Sequence, residues 1–392
     1  MSATATDNAG VAQAAAATPV SGVASAASGR FEYIDGLRGI ASIMVVIGHL
    51  ADAAEDKHPG ILGPGVIDIA DFGRYGVQIF FVLSGFVIAH SVSAGAYSFG
   101  YLGRFVGRRF VRLDLPYWSV IAMEVCLLWL SGMVAAQFVR DLPSFPQIVA
   151  NAFYVQSFVG EKHILPVFWT LCYEVQFYLV FVLSLVLLTK LREAGASQSA
   201  TRTLGSVALG LSFCWSLSIY LGLLPTPHQA LFVDRWFQFS LGVITYLYYR
   251  NLCSWVPVVA ALALCGFGGV IFGYDAYRTT STLFTVATSI AILASLRFSW
   301  WNSLLIGPTV QFLGRISYSL YLLHVAIGWR ATVVVREVLG AHYTTLTAYL
   351  AFFVGVGVSV LGSWIMYLLI EGPAIKLARR IRLPQRRTAA PG

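Results

Sequence analysis

The chain is patterned as long apolar runs joined by short polar connections. Stretches over residues 37–54, 77–92, 115–135, 166–189, 204–223, 231–249, 256–272, 281–296, 316–335 and 346–370 are each apolar over about the length a helix needs to cross roughly 30 Å of hydrocarbon. Backbone groups in lipid must pair within their own segment, and continuous runs do not match the alternating strands of a membrane barrel. The pattern therefore predicts an all-α fold, a polytopic transmembrane helical bundle of about ten helices. Composition agrees: 57% of residues are hydrophobic and 11% charged, and the mean hydropathy is +0.73. An ordinary soluble domain is excluded.

Basic residues set the expected orientation. With the N-terminus inside, Arg104, Arg108, Arg109, Arg112, Lys190, Arg192, Arg297, Arg315 and the cluster from Lys376 to Arg387 all fall on the cytoplasmic face, as the positive-inside rule requires. Both termini are then cytoplasmic. Residues 1–30, rich in Ala, Ser and Thr, resemble neither a signal peptide nor a helix and are expected to form a flexible tail. Residues 31–375 form the membrane domain, and 376–392 a basic tail against anionic membrane lipids. The net charge of +8 thus reports topology, and no nucleic-acid partner is expected.

Several constellations within the spans carry candidate chemistry. Arg38 and His49 are eleven positions apart, which on a helix returns them to one face about 16 Å apart along the axis. A histidine at about mid-membrane depth is costly and usually lines a cavity or reaction path. Arg104, Arg108, Arg109 and Arg112 fall within nine residues, a forked cationic surface suited to phosphate oxygens, although each alone could be a topological anchor. In the fourth span Trp169, Glu174 and Tyr178 stand together, with Glu174 and Tyr178 on one face. That carboxyl could accept a proton, orient an imidazole, or make an interhelical hydrogen bond. Ser317, Tyr321 and His324 follow the i, i+4, i+7 stripe of the ninth span, where Ser and Tyr are commonly interhelical glue. Glu371 precedes Gly372-Pro373 among the arginines, as a salt-bridged brace, and Ser84-Gly85 places small residues in the second span. The five cysteines lack metal-ligand spacing, so neither a metal nor disulfides are expected.

Taken in order, Asp35-Gly36-Leu37-Arg38-Gly39, the Arg38 to His49 spacing, Phe80 to Phe86, Arg109 to Arg112 with Pro116-Tyr117-Trp118, Trp169-Thr170-Leu171 plus Glu174, Ile316 to His324 and Glu371-Gly372-Pro373 closely resemble the bacterial membrane-bound acyltransferase 3 family. The resemblance runs from about residue 31 to 375. It implies a multi-pass enzyme of the bacterial inner membrane that moves an acetyl or other short acyl group from cytoplasmic acyl-CoA, with acetyl-CoA as co-substrate, to a hydroxyl of a cell-surface or secreted glycan or a lipid-linked sugar. It also implies the stand-alone type, without a fused esterase-like domain. In that frame Arg109 and Arg112, helped by Arg38, Arg104 or Arg108, hold the donor's phosphates, and its pantetheine arm reaches the thioester to His49. His49 acts as general base or as nucleophile, with Glu174 or His324 fixing its tautomer. Asp35, Ser84, Trp169, Tyr178, Ser317, Tyr321 and Glu371 line the substrate channel, and the loop over 137–165 is the expected acceptor lip. The competing expectations are a sugar or lipid transporter or flippase, and an acyltransferase acting on a cytoplasmic small molecule such as a macrolide.

Overall fold

The structure, a computed structural model, describes residues 22–93, 95–134 and 141–385. The chain order is α1 (Gly22–Glu55), α2 (Pro64–Asp71), α3 (Gly76–Val92), α4 (Phe99–Val134), α5 (Phe145–Ala152), α6 (Gln156–Val159), α7 (Trp169–Glu193), α8 (Gln198–Tyr220), α9 (Trp236–Tyr249), α10 (Trp255–Phe272), α11 (Ala276–Arg297), α12 (Ser299–Ser303), α13 (Pro308–Leu323), α14 (Arg330–Leu339), α15 (Thr345–Met366) and α16 (Gly372–Arg380). Proline at the first turn starts α2, α5 and α13, where a missing N–H costs nothing. Ser144, Ser197 and Asp275 cap α5, α8 and α11 by accepting from a backbone N–H three residues on.

Among the described residues, nine helices are long and apolar enough to cross a membrane. The sixth expected crossing falls short of them. Its helix, α9, has 14 residues, about 21 Å at 1.5 Å per residue. Residues 237 to 246 of it are all buried, so α9 is clasped inside the bundle and need not match the lipid thickness. By contrast α10 presents Phe267, Val270 and Ile271 outward, as a lipid-facing helix should.

Two glycine crossings bring helix backbones together. A methyl group added to Gly85 on α3 would strike the Phe239 carbonyl oxygen of α9, and one added to Gly242 on α9 would strike that of Val82 on α3. Gly314 on α13 meets the Asp35 carbonyl of α1 in the same way. Small residues allow this close backbone approach, which favours packing between helices in lipid. The α1–α13 crossing sets the helix that bears His49 beside the one that leads into His324.

Three boundaries differ from expectation. α1 begins at Gly22, inside the stretch expected to be a tail; its alanines favour helix. The basic C-terminal stretch is not a loose tail through residue 385: Lys376, Arg379 and Arg380 belong to α16, and the chain then folds back so that Ala96 N donates to Pro384 O at 3.0 Å. Residues 1–21 and 386–392 lie outside the described residues, as do 135–140, which include the first four positions of the expected acceptor lip. The rest of that lip turns inward onto the middle of α4. Tyr117 Oη donates to Asn151 O, Trp118 Nε1 to Ala152 O, and Tyr154 Oη to Asp114 Oδ1 at 2.6 Å.

Candidate functional site

A narrow cleft runs between α1, α3, α4, α7 and α13. Arg38, Arg109 and Arg112 line it, as do Ser84, Glu174, Tyr178, Ser317 and Tyr321. Its volume is about 80 Å³, well below the roughly 300–1,000 Å³ of most small-molecule sites, so it suits a slender chain. Arg109 lies over the Tyr178 ring, 4.6 Å from its centroid, a cation–π arrangement. Tyr178 Oη donates to Glu174 Oε1, and Ser84 Oγ donates to the same oxygen at 2.7 Å. The carboxylate therefore collects two hydroxyls under the guanidinium. Ser317 Oγ is buried on the cleft wall with no hydrogen-bond partner among the described residues. On α4, Pro116 leaves the Arg112 carbonyl without its usual intrahelical donor.

At the cleft's end, Tyr321 Oη is tied to Thr170 Oγ1 at 2.6 Å and to Val167 O at 3.1 Å. Behind it lies His324, its ring centroid 5.9 Å from that of Tyr321, and then His49, 5.0 Å further. His324 is fully buried and His49 half-buried. His49 Nδ1 faces Val45 O at 2.9 Å and His324 Nε2 at 3.3 Å, while His324 Nδ1 faces Leu320 O at 3.1 Å. Carbonyl oxygens only accept, so each Nδ1 carries the proton. His324 Nε2 then offers its lone pair to the His49 N–H, and the lone pair of His49 Nε2 is left over. A neutral imidazole held this way is a base with a fixed tautomer.

The geometry revises several expectations. Neither imidazole lines the cleft, so Arg38 reaches it and His49, though on the same helix, does not, while Tyr321 on its wall stands next to His324. Within the apolar span Glu32–Glu55, His49 stands six residues from the far end, about three quarters of the way along and deeper than half-way. Of the two candidates for orienting His49, His324 touches it, whereas the hydrogen bonds of Glu174 go to Ser84 and Tyr178.

The arginines divide by helical azimuth. Arg109 and Arg112 enter the cleft, Arg108, about 100° round from Arg109, enters a second basin, and Arg104 is exposed and lines neither. Asp35, Trp169 and Glu371 do not line the cleft. Asp35 sits at the α1–α13 crossing, and Trp169 packs edge-on to Phe81 with Arg235 beyond it. Glu371 accepts from Ser319 Oγ at 2.6 Å and from Ser319 N at 3.2 Å, and no arginine is within ion-pair distance of it among the described residues. π-helical turns begin at His324 and end at Glu371, irregularities frequent at functional sites. Thr170 and Ser319 were not singled out beforehand, although both lie inside the motifs around Trp169 and Ser317. Among the described residues, no group of three or more His, Cys, Asp or Glu side chains could hold a metal ion.

Fold and site together define a polytopic membrane protein with an arginine-lined cleft and a buried imidazole pair. A family model described as an acyltransferase domain matches residues 31–368, and the chain belongs to this acyltransferase 3 family. It is 26% identical over 338 residues to nodulation protein 10 of Rhizobium leguminosarum bv. viciae, covering 77% of this chain and 86% of the relative. It is also 26% identical over 385 residues to a putative membrane-bound transacylase, BcsY, of Komagataeibacter xylinus, covering 91% and 86%. No solved structure matches the chain. Acyltransferase activity and a multi-pass membrane location follow from the family.

Proposed function

We propose that the protein transfers an acetyl or other short acyl group from acyl-coenzyme A to a hydroxyl of a cell-surface or secreted glycan, in the bacterial inner membrane with both termini cytoplasmic. The observation that carries this reading is the His49–His324 pair, whose one uncommitted lone pair sits just beyond a slender cationic cleft. The cleft fits a pantetheine arm, and Arg38, Arg109 and Arg112 supply charge-assisted hydrogen bonds to an anionic donor in a dry setting. His49 Nε2 removes the proton from the acceptor hydroxyl as its oxygen attacks the thioester carbonyl. The coenzyme thiolate leaves and takes up that proton from His49 Nε2, and the Nδ1–H of His49 stays hydrogen-bonded to His324 Nε2 throughout. Contact between thioester and imidazole requires Tyr321 to move off Thr170, so Tyr321 is the partition between donor and acceptor. Acyl transfer is supported by the relative named as a membrane-bound transacylase, and the glycan acceptor rests on the family resemblance.

The test is thioester consumption by the purified protein in nanodiscs with acetyl-CoA and candidate oligosaccharides, with mass spectrometry of the sugar. Gain of an acetyl mass dependent on His49 supports the reading. Sugar or lipid movement without any thioester consumption would make the chain a transporter or flippase, and acylation only of a cytoplasmic small molecule would remove the glycan.

A further inference from the structure

The second basin, beside the cleft, is larger and more strongly charged. Its volume is about 500 Å³, and Arg108, Arg379, Arg382, Ser91, Tyr101 and Gln385 line it. It is built by the fold-back after α16: Gly95 pairs with Gln385, Ala96 N is bonded to Pro384 O, and Leu383 packs against the core formed by α3 and its neighbours. Three guanidiniums therefore come from two distant parts of the chain to one cavity. None of them has a carboxylate within ion-pair distance among the described residues. Guanidinium does not give up its charge, so three positive charges gather at this open basin, Arg108 half-buried and Arg379 and Arg382 exposed.

Basin and cleft lie along one path. Ser84 and Val87 line the cleft and Ser91 the basin, at i, i+3 and i+7 on one face of α3. On α4 the neighbours Arg109 and Arg108 serve cleft and basin respectively. A wide cationic basin beside a narrow slot matches a ligand with a bulky polyanionic head and a thin neutral arm. Three unpaired arginines call for several phosphate charges, more than the single phosphodiester of a common lipid headgroup carries.

We propose that this basin is a phosphate site for the nucleotide end of the acyl donor, with Arg108, Arg379 and Arg382 on its phosphate oxygens, while Arg109 and Arg112 act further along the arm. This rests on the acyl-coenzyme A reading above. It gives the basic C-terminal stretch a binding role in place of attachment to the lipid surface.

The test uses the full chain in nanodiscs of zwitterionic lipid, titrated with adenosine 3′,5′-bisphosphate. Saturable binding is expected, weakened at least tenfold in Arg108→Gln and in Arg379→Gln/Arg382→Gln, and retained in Arg192→Gln on an exposed helix end. Unchanged affinity in both basin variants, or no saturable binding by folded wild type, overturns the proposal. A parallel arm follows retention of phosphatidylglycerol by native mass spectrometry. Lipid held by wild type and lost in the double variant, with no nucleotide binding, assigns the phosphate site to lipid and also overturns it. Acetyl-CoA consumption is read separately. Consumption without basin-dependent bisphosphate binding removes only the basin, and basin-dependent binding without consumption removes only the acyl-transfer reading.

Discussion

His324 Nε2 lies 3.3 Å from His49 Nδ1, joining residues 275 positions apart in the chain. The contact leaves His49 Nε2 as the one uncommitted base of the pair. His49→Ala should lower acyl transfer at least about 100-fold, the usual scale for loss of a general base, with normal protein abundance. His324→Gln, which keeps an acceptor near Nδ1, should cost less, about 10-fold on the same scale. Initial rates with purified variants check both values. Equal, near-wild-type rates would remove the pair from the chemistry.

The cleft arginines predict a different kinetic signature. Arg109→Glu and Arg112→Glu place an anion where the donor is expected to pass, so the KM for acetyl-CoA should rise by about 10-fold or more per residue, the scale of a lost charge-assisted hydrogen bond of about 1.5–3 kcal/mol. A KM unchanged in both variants would return these residues to the status of topological anchors.

Tyr321 is held closed by two hydrogen bonds, each worth about 1 kcal/mol. Tyr321→Phe removes both while keeping the ring, so the open partition should become about fivefold to thirtyfold more populated by the same scale. Thioester hydrolysis in the absence of acceptor is the readout. A rate equal to wild type would mean that the hydroxyl holds no barrier.

A stability prediction concerns Arg330 and Glu124, a bidentate pair with both N···O distances 2.7 Å and Glu124 almost fully buried. Arg330→Ala leaves a buried carboxylate unpaired, at a cost of about 3–5 kcal/mol. Replacing both residues by Met should be markedly milder. Unfolding of the detergent-solubilised variants, followed by thermal shift, distinguishes the two.

The bundle was legible because hydrocarbon imposes its own length on each run, and α9 escaped that rule by being enclosed. Relations along one helix were legible too: Glu174 with Tyr178, and Arg109 with Arg112. Relations between helices were not. That His324 and not Glu174 meets His49 depends on how closely Gly314 lets α13 approach α1. A basic motif also gives no hint which arginine faces which cavity, and Arg108 and Arg109 part company by one step of helical rotation. Nor does the stretch after residue 376 signal its fold-back, since the backbone pairing that fixes it involves Gly95, Ala96, Pro384 and Gln385, none of which carries a motif.

Gly85 and Gly242 set α3 and α9 backbone against backbone, with no side chain between them at that crossing that could give way. Yielding of the slot to a donor is then expected in its other walls, and Pro116, where α4 lacks one intrahelical hydrogen bond, lies in one of them, one turn beyond Arg112.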